Sequence, residues 1–473
     1  EVSLMCGITG IIKQGRMGGE DRLSMGRMLK ALERRGPDGE GVSESGDAIL
    51  GARRLAMVDV QNGSQPMRIG NLTIIFNGEI YNHDEIRKGL QAKGVVFRTG
   101  SDTEALLRAY EVYGADCLEK LDGQFAFAIY DSSKEELFMA RDRFGEKPLY
   151  YAKTINGDLV FASIPQAILQ HHDIDAKPDP YSVGFFMLQS FTFAAGDAPL
   201  DRSFFEGIKE LAPGHLMVYK EGEAKLKRWY AYSTGNRIKS LKGAVDEVRA
   251  ALEESVARRI APEVRNGIAL SGGLDSSIIL ALASRLDDLV SSCISFRGDG
   301  NEDLLHARLM ADHCCVPLVE TDTPAQDAGR TLDDIVEAMG SPHCMIRQLG
   351  MVENYRKLKE AGAKAVLIGE GADELFFGYY HKFPGFKSDE MELSREGAFR
   401  ELCRARLLDT IGVFTPEFNR SMDFGLAVDE LCSRFEDFRS PDPLRKSQNY
   451  YLDHFLSTFL IRANDRLGMY HSV

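Results

Sequence analysis

The rhythm of apolar and polar residues changes near residue 235. Before it, short apolar runs at 72–77, 124–131, 136–141 and 159–163 are separated by Gly, Asn and Asp, as strands are by turns. Helical periodicity is confined to 22–33 and 102–113. Mixed strands with a few flanking helices predict a layered α+β fold. The stretch 231–240 is polar and turn-rich and marks a domain boundary. Beyond it Val245, Val248, Leu252 and Val256 recur at helical spacing. Strands at 267–270, 291–296, 316–320 and 364–368 then alternate with helices from about Ser276, at 302–313 and at 352–360. That alternation predicts an α/β doubly wound parallel sheet, with ligands at the carboxyl ends of its strands. From Met391 onward the pattern is mostly helical.

Composition narrows the class. A chain of 473 residues with 44% hydrophobic content is too long for one core and implies two domains, or three. Lys and Arg total 57 against 71 Asp and Glu, a net charge of -14, which argues against a general nucleic-acid binder. The 8 cysteines show no Cys-x-x-Cys spacing, so neither a zinc site nor a disulfide framework is expected. A reducing cytoplasm is the natural compartment. No signal peptide or apolar stretch long enough to span a membrane is visible.

Two motifs sit where the parallel sheet should bind ligands. Ser271-Gly272-Gly273-Leu274-Asp275-Ser276-Ser277 follows a strand and opens a helix. Its glycines allow a tight turn, the helix N-terminus is partly positive, and the serines add donors, so pyrophosphate fits. Asp275 is out of place beside an anion unless a cation such as Mg²⁺ bridges them. The Gly-Lys-Ser/Thr ending of a Walker loop is absent. The plain alternative is a Gly-rich turn with a helix cap. Gly369-Glu370-Gly371-Ala372-Asp373-Glu374 follows another strand. Clustered carboxylates repel unless a cation or a reaction needs them. Asp373 suits a second Mg²⁺ ligand, and Glu370 a general base or an orienting group. The alternative is an acid-rich helix start favoured by the dipole.

In the first half Cys6 follows Met5. Were that methionine removed, Cys6 would carry a free α-amine, of pKa near 8, as its own general base. Otherwise it reads as a small buried hydrophobe. Asn77 and Gly78 together offer an oxyanion hole. Arg54 suits an α-carboxylate and Asp102 an α-amine, the ends of a free amino acid such as glutamine. Their ordinary readings are a surface charge and a helix N-cap.

The motifs together resemble the glutamine-hydrolysing asparagine synthetases. They are Met-Cys-Gly-Ile at 5–8, Arg-Arg-Gly-Pro-Asp at 34–38, Arg54-Leu55, Gln65-Pro66, Asn-Gly-Glu-Ile-Tyr-Asn at 77–82, Thr-Gly-Ser-Asp at 99–102 and Arg-Asp-Arg-Phe-Gly-Glu-Lys-Pro-Leu-Tyr at 141–150, then 271–277 and 369–374. The resemblance implies an α+β N-terminal nucleophile hydrolase αββα sandwich at 6–230. It implies an ATP pyrophosphatase domain, a parallel α/β sheet with a helical C-terminal part, at 241–473. Cys6 would attack the glutamine amide, Asn77 and Gly78 would stabilise the oxyanion, and Arg54, Glu79 and Asp102 would join them in holding glutamine. Ammonia would pass inside the protein to an acceptor carboxylate, aspartate in this family, activated as an acyl-adenylate. Leu270, Ser271, Gly272, Gly273, Asp275, Ser276 and Gly369 would bind ATP, Asp275 and Asp373 would hold Mg²⁺, and Glu370 would serve catalysis. Family members often pair as homodimers; neither nucleic acid nor membrane is an expected partner.

Three departures carry expectations of their own. Residues 1–4 precede Met5, so an artificially added or misplaced start is expected, and a tail left in place would silence glutamine hydrolysis. The chain stops at Val473, where the family continues with helical residues, one a lysine thought to contact pyrophosphate. Ile368 stands where the family often has serine, and Phe376-Phe377-Gly378-Tyr379-Tyr380 replaces a smaller sequence; these would loosen the nucleotide contact and reshape the acceptor pocket. The same chemistry on another carboxylate is the close rival, with 341–348 as the discriminating stretch. Lactam-forming relatives usually lack the cysteine, so Cys6 argues against them. A silent glutamine or nucleotide sensor is the reading from another class.

Overall fold

The computed structural model describes residues 6–55, 59, 62–190, 201–231, 240–296, 302–323, 328–342, 347–376, 378, 414–421, 425–426, 428–429, 433, 448–449 and 451–473. The expectations for residues 1–5, for 56–58, for most of the boundary at 231–240, and for Phe377, Tyr379 and Tyr380 fall outside these.

Among the described residues the first half contains twelve strands: β1 (Gly7–Ile12), β2 (Gly39–Ser45), β3 (Ala48–Arg54), β4 (Met67–Ile69), β5 (Leu72–Ile80), β6 (Gly123–Asp131), β7 (Glu136–Arg141), β8 (Tyr150–Lys153), β9 (Leu159–Ala162), β10 (Lys209–Glu210), β11 (His215–Lys220) and β12 (Glu223–Arg228). They form two antiparallel sheets, in the orders β10-β8-β9-β1-β3-β2 and β12-β11-β7-β6-β5-β4. The sheets stack through Ile8, Ile12 and Leu50 of one against Ile75, Ala128 and Met139 of the other. Helices α1 (Gly19–Ala31), α2 (His83–Gln91), α3 (Asp102–Tyr113) and α4 (Pro165–Ile168) cover the outer faces. Met25, Met28 and Leu29 of α1 pack on Ile11 and Ile49, while Leu106 and Leu107 of α3 pack on Ile74, Phe76 and Phe127. This is an αββα sandwich. Strands buried on both faces have no polar side to alternate, so β5, β6 and β7 show as apolar runs. Edge strand β12, Glu-Ala-Lys-Leu-Lys-Arg, is largely exposed and gave no such signal.

Helix α5 (Pro180–Ser190) lies between β9 and β10 in the first half; the second half opens with α6 (Leu241–Arg259), capped by the Ser240 hydroxyl. Then come β13 (Asn266–Ala269), α7 (Leu274–Ala283), β14 (Val290–Phe296), α8 (Glu302–Cys314), β15 (Leu318–Thr323), α9 (Ala328–Met339), α10 (Arg347–Glu360), β16 (Ala365–Leu367) and α11 (Ala372–Phe376). The four strands form a parallel sheet in the order β15-β14-β13-β16. Several boundaries differ from expectation. The strand expected at 316–320 starts at Leu318, because Pro317 has no N–H for the ladder. Helix α10 starts at Arg347 rather than Val352. Beyond residue 391 the described elements are helical, ending in a wide helical turn at Tyr451–Leu460 and a final helix at Ile461–Tyr470.

That final helix joins the halves, and all ten of its residues are buried. Arg462 Nη2 donates to Glu210 Oε2 at 2.5 Å, and Arg466 donates to the Tyr150 hydroxyl. Buried ions must be paired to be tolerated, and each of these partners lies in the first half. Leu55 of the first half packs in turn with Leu270, Leu280 and Met469. Among the described residues no helix is long and apolar enough to cross a membrane.

Candidate functional site

Two separate centres emerge. The first lies where the stacked sheets meet at the head of β1. Cys6 is buried beside Asn77 of β5, and its backbone N–H donates to Asn77 Oδ1 at 3.1 Å. That bond fixes the amide orientation and leaves Asn77 Nδ2 buried without a partner. An unpaired buried donor is costly, so a ligand oxygen would be welcome there. Gly78 follows with φ 145, and a Cβ at that position would lie 2.0 Å from the Gln124 carbonyl oxygen. Only glycine keeps β5 paired through this kink. Burial pushes the Cys6 thiol up to about 11, against opposing contributions from the Leu55 carbonyl contact, Arg54 and Arg35.

Glu79 and Asp102 face the same region. Glu79 Oε2 is buried without a hydrogen-bond partner, and burial, then the neighbouring Asp102, raises its pKa well above the usual carboxylate range. Asp102 is raised by burial too, although its oxygens accept from Ile80 N at 3.2 Å and Thr103 N at 2.7 Å. The cap of α3 is Ser101, whose hydroxyl accepts from Glu104 N, so Asp102 is not the N-cap. Glu104 accepts from Arg98 N and Thr99 N and thereby folds the 99–102 turn. Asp59 joins that turn to Arg54: its carboxylate accepts from Gly100 N at 2.7 Å and its carbonyl from Arg54 Nη2 at 2.9 Å. Thiol, unpaired amide, arginine and two destabilised carboxyls thus converge on one spot. A zwitterionic ligand with a carbonyl to attack matches all of them.

The second centre is a cavity of about 350 Å³ at the carboxyl ends of β13 and β16. Leu270, Ser271, Gly273, Asp275 and Ser276 line one wall, and Ile368, Gly369, Glu370 and Asp373 the other. Ser271 N donates to Ser276 Oγ at 3.1 Å, and Gly273 N donates to Ser271 Oγ at 3.3 Å, so the hydroxyls shape the loop. Gly273 caps α7 with no side chain across its first N–H groups, which leaves them for an anion. Gly272 sits outside the cavity lining. With φ 78, its Cβ would fall 2.2 Å from the Asp303 carbonyl oxygen, so it lets the loop press on α8. Asp275 has its pKa raised by burial first, then by Asp373 and Glu370. An all-oxygen set with like-charge strain suits a hard divalent cation. Arg347 Nη2 meets Glu370 Oε1 at 2.7 Å, which leaves Asp275 and Asp373 as the pair to hold it. Ile368 lines the cavity with an apolar side chain rather than a hydroxyl.

Several lining residues escaped the sequence reading: Arg347, Met351, Asn354, Tyr355 and Asn464. Arg347 falls within 341–348, the stretch set aside for the acceptor, although 343–346 lie outside the described residues. Nothing in the local sequence marks Asn464, which reaches the cavity only through the placement of the final helix. Arg35, within the 34–38 motif, donates from Nε to the Cys6 carbonyl at 3.4 Å. One other group, Asp21, His171 and His172, brings three donor atoms within 4.8 Å. Lys13 already sits 3.3 Å from Asp21, and Asp173 N donates to His171 Nδ1, which leaves the proton on Nε2. That cluster is an ion-pair network rather than a metal centre.

The architecture defines the class: an N-terminal nucleophile hydrolase sandwich joined to an ATP pyrophosphatase-type sheet. Residues 5–230 match the glutamine amidotransferase domain family and residues 247–473 the asparagine synthase family. Asparagine synthetase [glutamine-hydrolyzing] 3 of Bacillus subtilis is 32% identical over 416 residues, covering 82% of this chain and 65% of that protein. The asparagine synthetase of Sandersonia aurantiaca is 31% identical over 406 residues, covering 82% and 70%. The chain belongs to the glutamine-hydrolysing asparagine synthetase family. It spans about two thirds of the length of these relatives. A Bacillus subtilis glutamine phosphoribosylpyrophosphate amidotransferase of known structure is 18% identical, with a TM-score of 0.36 over 77% of this chain and 81% of that one, a likeness too distant to bear on this protein.

Proposed function

We propose that residues 6–230 release ammonia from glutamine and that residues 241–473 use it to amidate an ATP-activated carboxylate, aspartate, giving asparagine, AMP and pyrophosphate. The observation that carries this reading is the joint lining of one cavity by the 271–276 loop and by Asp275, Glu370 and Asp373, in a chain that also holds Cys6 beside the unpaired Asn77 amide.

At the first centre the Cys6 thiolate attacks the glutamine amide carbon. Asn77 Nδ2 and the Gly78 N–H meet the oxygen as it becomes an oxyanion. Arg54 takes the α-carboxylate, and Glu79 and Asp102 the α-ammonium, whose charge offsets their lost hydration. With the thiol pushed up to about 11, the attack needs a base. An α-amine freed at Cys6 would provide it. As the oxyanion collapses the C–N bond breaks, the base returns its proton to the nitrogen and ammonia leaves. Water then attacks the resulting thioester, releasing glutamate and restoring the thiol.

At the second centre the α7 N-terminus and the Ser271 and Ser276 hydroxyls hold the phosphates. Mg²⁺ held by Asp275 and Asp373 would neutralise phosphate charge when bound. The acceptor carboxylate attacks the α-phosphate and pyrophosphate leaves; ammonia then displaces AMP from the acyl-adenylate. Activation is needed because an ionised carboxylate resists a neutral amine. Glu370 would orient the attack or take a proton from the amine. Arg347, the cation among the described lining residues and an ion-pair partner of Glu370, would hold the acceptor.

The test uses the chain with Cys6 at its N-terminus, supplied with glutamine, Mg-ATP and aspartate. Pyrophosphate and asparagine should form together. Cys6→Ala should form them only from ammonia. Glutamine hydrolysis without asparagine would redirect the reading to another carboxylate, and absence of both hydrolysis and pyrophosphate would overturn it.

A further inference from the structure

The Cys6 centre is not built by the first half alone. Arg35, whose Nε holds the Cys6 carbonyl, turns its other two nitrogens away from the sandwich. Nη1 donates to Asp465 Oδ2 at 2.9 Å and Nη2 to Asp465 Oδ1 at 3.4 Å, a bidentate fork. Lys147 adds its ammonium 3.7 Å from Asp465 Oδ1. Arg35, Lys147 and Asp465 are all at least 96% buried. Two buried cations of the first half thus share one carboxylate, and that carboxylate belongs to the final helix of the second half. Arg35 has a long, flexible side chain, and a fork at its far end is what holds its Nε still.

We propose that Asp465 is a positioning residue of the Cys6 centre: its carboxylate fixes the Arg35 guanidinium, and Arg35 fixes the backbone that carries the thiol. This rests on the glutaminase reading above. Asp465 touches neither glutamine nor nucleotide. Its influence on the first reaction is one of alignment, and a displacement of about 1 Å at a reacting atom costs about 10²-fold in rate.

The test compares the full chain with Asp465→Asn and Asp465→Glu. Three quantities are read: the rate of Cys6 alkylation by iodoacetamide, found by mass spectrometry; kcat and KM for glutamine hydrolysis; and pyrophosphate release driven by ammonia. For Asp465→Asn, alkylation and glutamine kcat should fall about tenfold or more, with KM and the ammonia reaction changed less than about twofold. Asp465→Glu, which keeps the charge, should lie between the variant and wild type. Unchanged kcat and alkylation would overturn the proposal. So would a parallel loss of the ammonia-driven reaction, since that marks a merely structural role. If removing the carboxylate prevents folding, Arg35→Lys decides: it keeps a cation for Asp465 but no Nε donor, and unchanged alkylation in that variant would likewise overturn the proposal. If wild type hydrolyses no glutamine, the proposed function fails while alkylation still reports the Cys6 position.

Discussion

The two centres solve opposite problems. Around Cys6 the candidate groups are sealed between packed sheets. Cys6, Asn77, Glu79 and Asp102 are all buried, and lost hydration is the largest cause of each resolved pKa shift there. Around the 271–276 loop the acids stand half-exposed at the rim of a parallel sheet, and like charges add to burial in raising Asp275. A sandwich interior can leave one donor and one carboxyl oxygen unpaired, in wait for a small ligand of matching shape. The open end of a parallel sheet instead gathers charge that only a cation and its phosphates relieve. Burial is the largest cause of the shifts at both centres; what differs is that the acids of the second stay partly open to solvent, where a cation can reach them.

The sharpest way to break this contrast is to remove the unpaired donor. Asn77→Ala should lower kcat for glutamine hydrolysis by about 10²–10³-fold, the usual cost of one oxyanion donor. Ammonia-driven pyrophosphate release should stay at the wild-type rate. A modest loss of kcat with a large rise in KM would show instead that Asn77 binds ground-state glutamine.

The next effect is on the thiol itself. With its pKa pushed up to about 11, Cys6 is mostly protonated at neutral pH. Its alkylation rate should climb about tenfold per pH unit from pH 7 to 10, whereas an ordinary thiol levels off near 8.5. In a chain trimmed to begin at Cys6, a bend near pH 8 would reveal the freed amine at work. A plateau by pH 8.5 in the untrimmed chain would contradict the sealed environment.

How much of this was readable beforehand follows the same divide. Strands β5, β6 and β7 announce themselves because burial on both faces leaves unbroken apolar runs. Ser271, Asp275, Glu370 and Asp373 also stand out, since a tight turn or a cluster of acids leaves a local mark. Arg35 is marked only as part of the 34–38 motif, with no role attached, and Asp465 is not marked at all. Each is an ordinary charged residue in its own segment, and their pairing spans 430 positions. The final helix was expected only as part of a mostly helical stretch, and its burial was not legible: enclosed on every face, it carries Arg462, Asn464, Asp465 and Arg466 where an apolar stripe would be expected. Spacing along a chain records local geometry; it does not record which distant element supplies the counter-charge.

Glu79 offers a smaller but two-sided test. Its folded pKa is raised, so in the window above its unfolded value the folded state holds the proton more tightly than the unfolded one. Stability is therefore greatest below that window and is lost as pH rises through the folded pKa. Glu79→Gln removes the titration. The ligand-free variant should melt higher than wild type at pH 7, with a flatter dependence on pH. It should also lose a charged hydrogen bond to the glutamine ammonium, raising KM about tenfold or more. A lower melting temperature would mean that Glu79 has a cationic partner in the empty protein.

Asp275→Asn carries the smallest effect and separates the two centres most cleanly. Asp275 is also raised, by burial and then by Asp373 and Glu370, so its contribution to stability is likewise lost as pH rises through its folded pKa. It is half-exposed, however, and solvent screens most of that repulsion. Without ligands the substitution should be neutral or slightly stabilising, within about 0.5 kcal/mol at pH 7. With Mg-ATP the sign should reverse, because wild type gains stability from the bound cation and its phosphates while the variant gains less. Melting curves with and without Mg-ATP read both signs in one experiment. Equal stabilisation of the two proteins by Mg-ATP would remove Asp275 from the cation site and leave its raised pKa as a matter of burial and crowding alone.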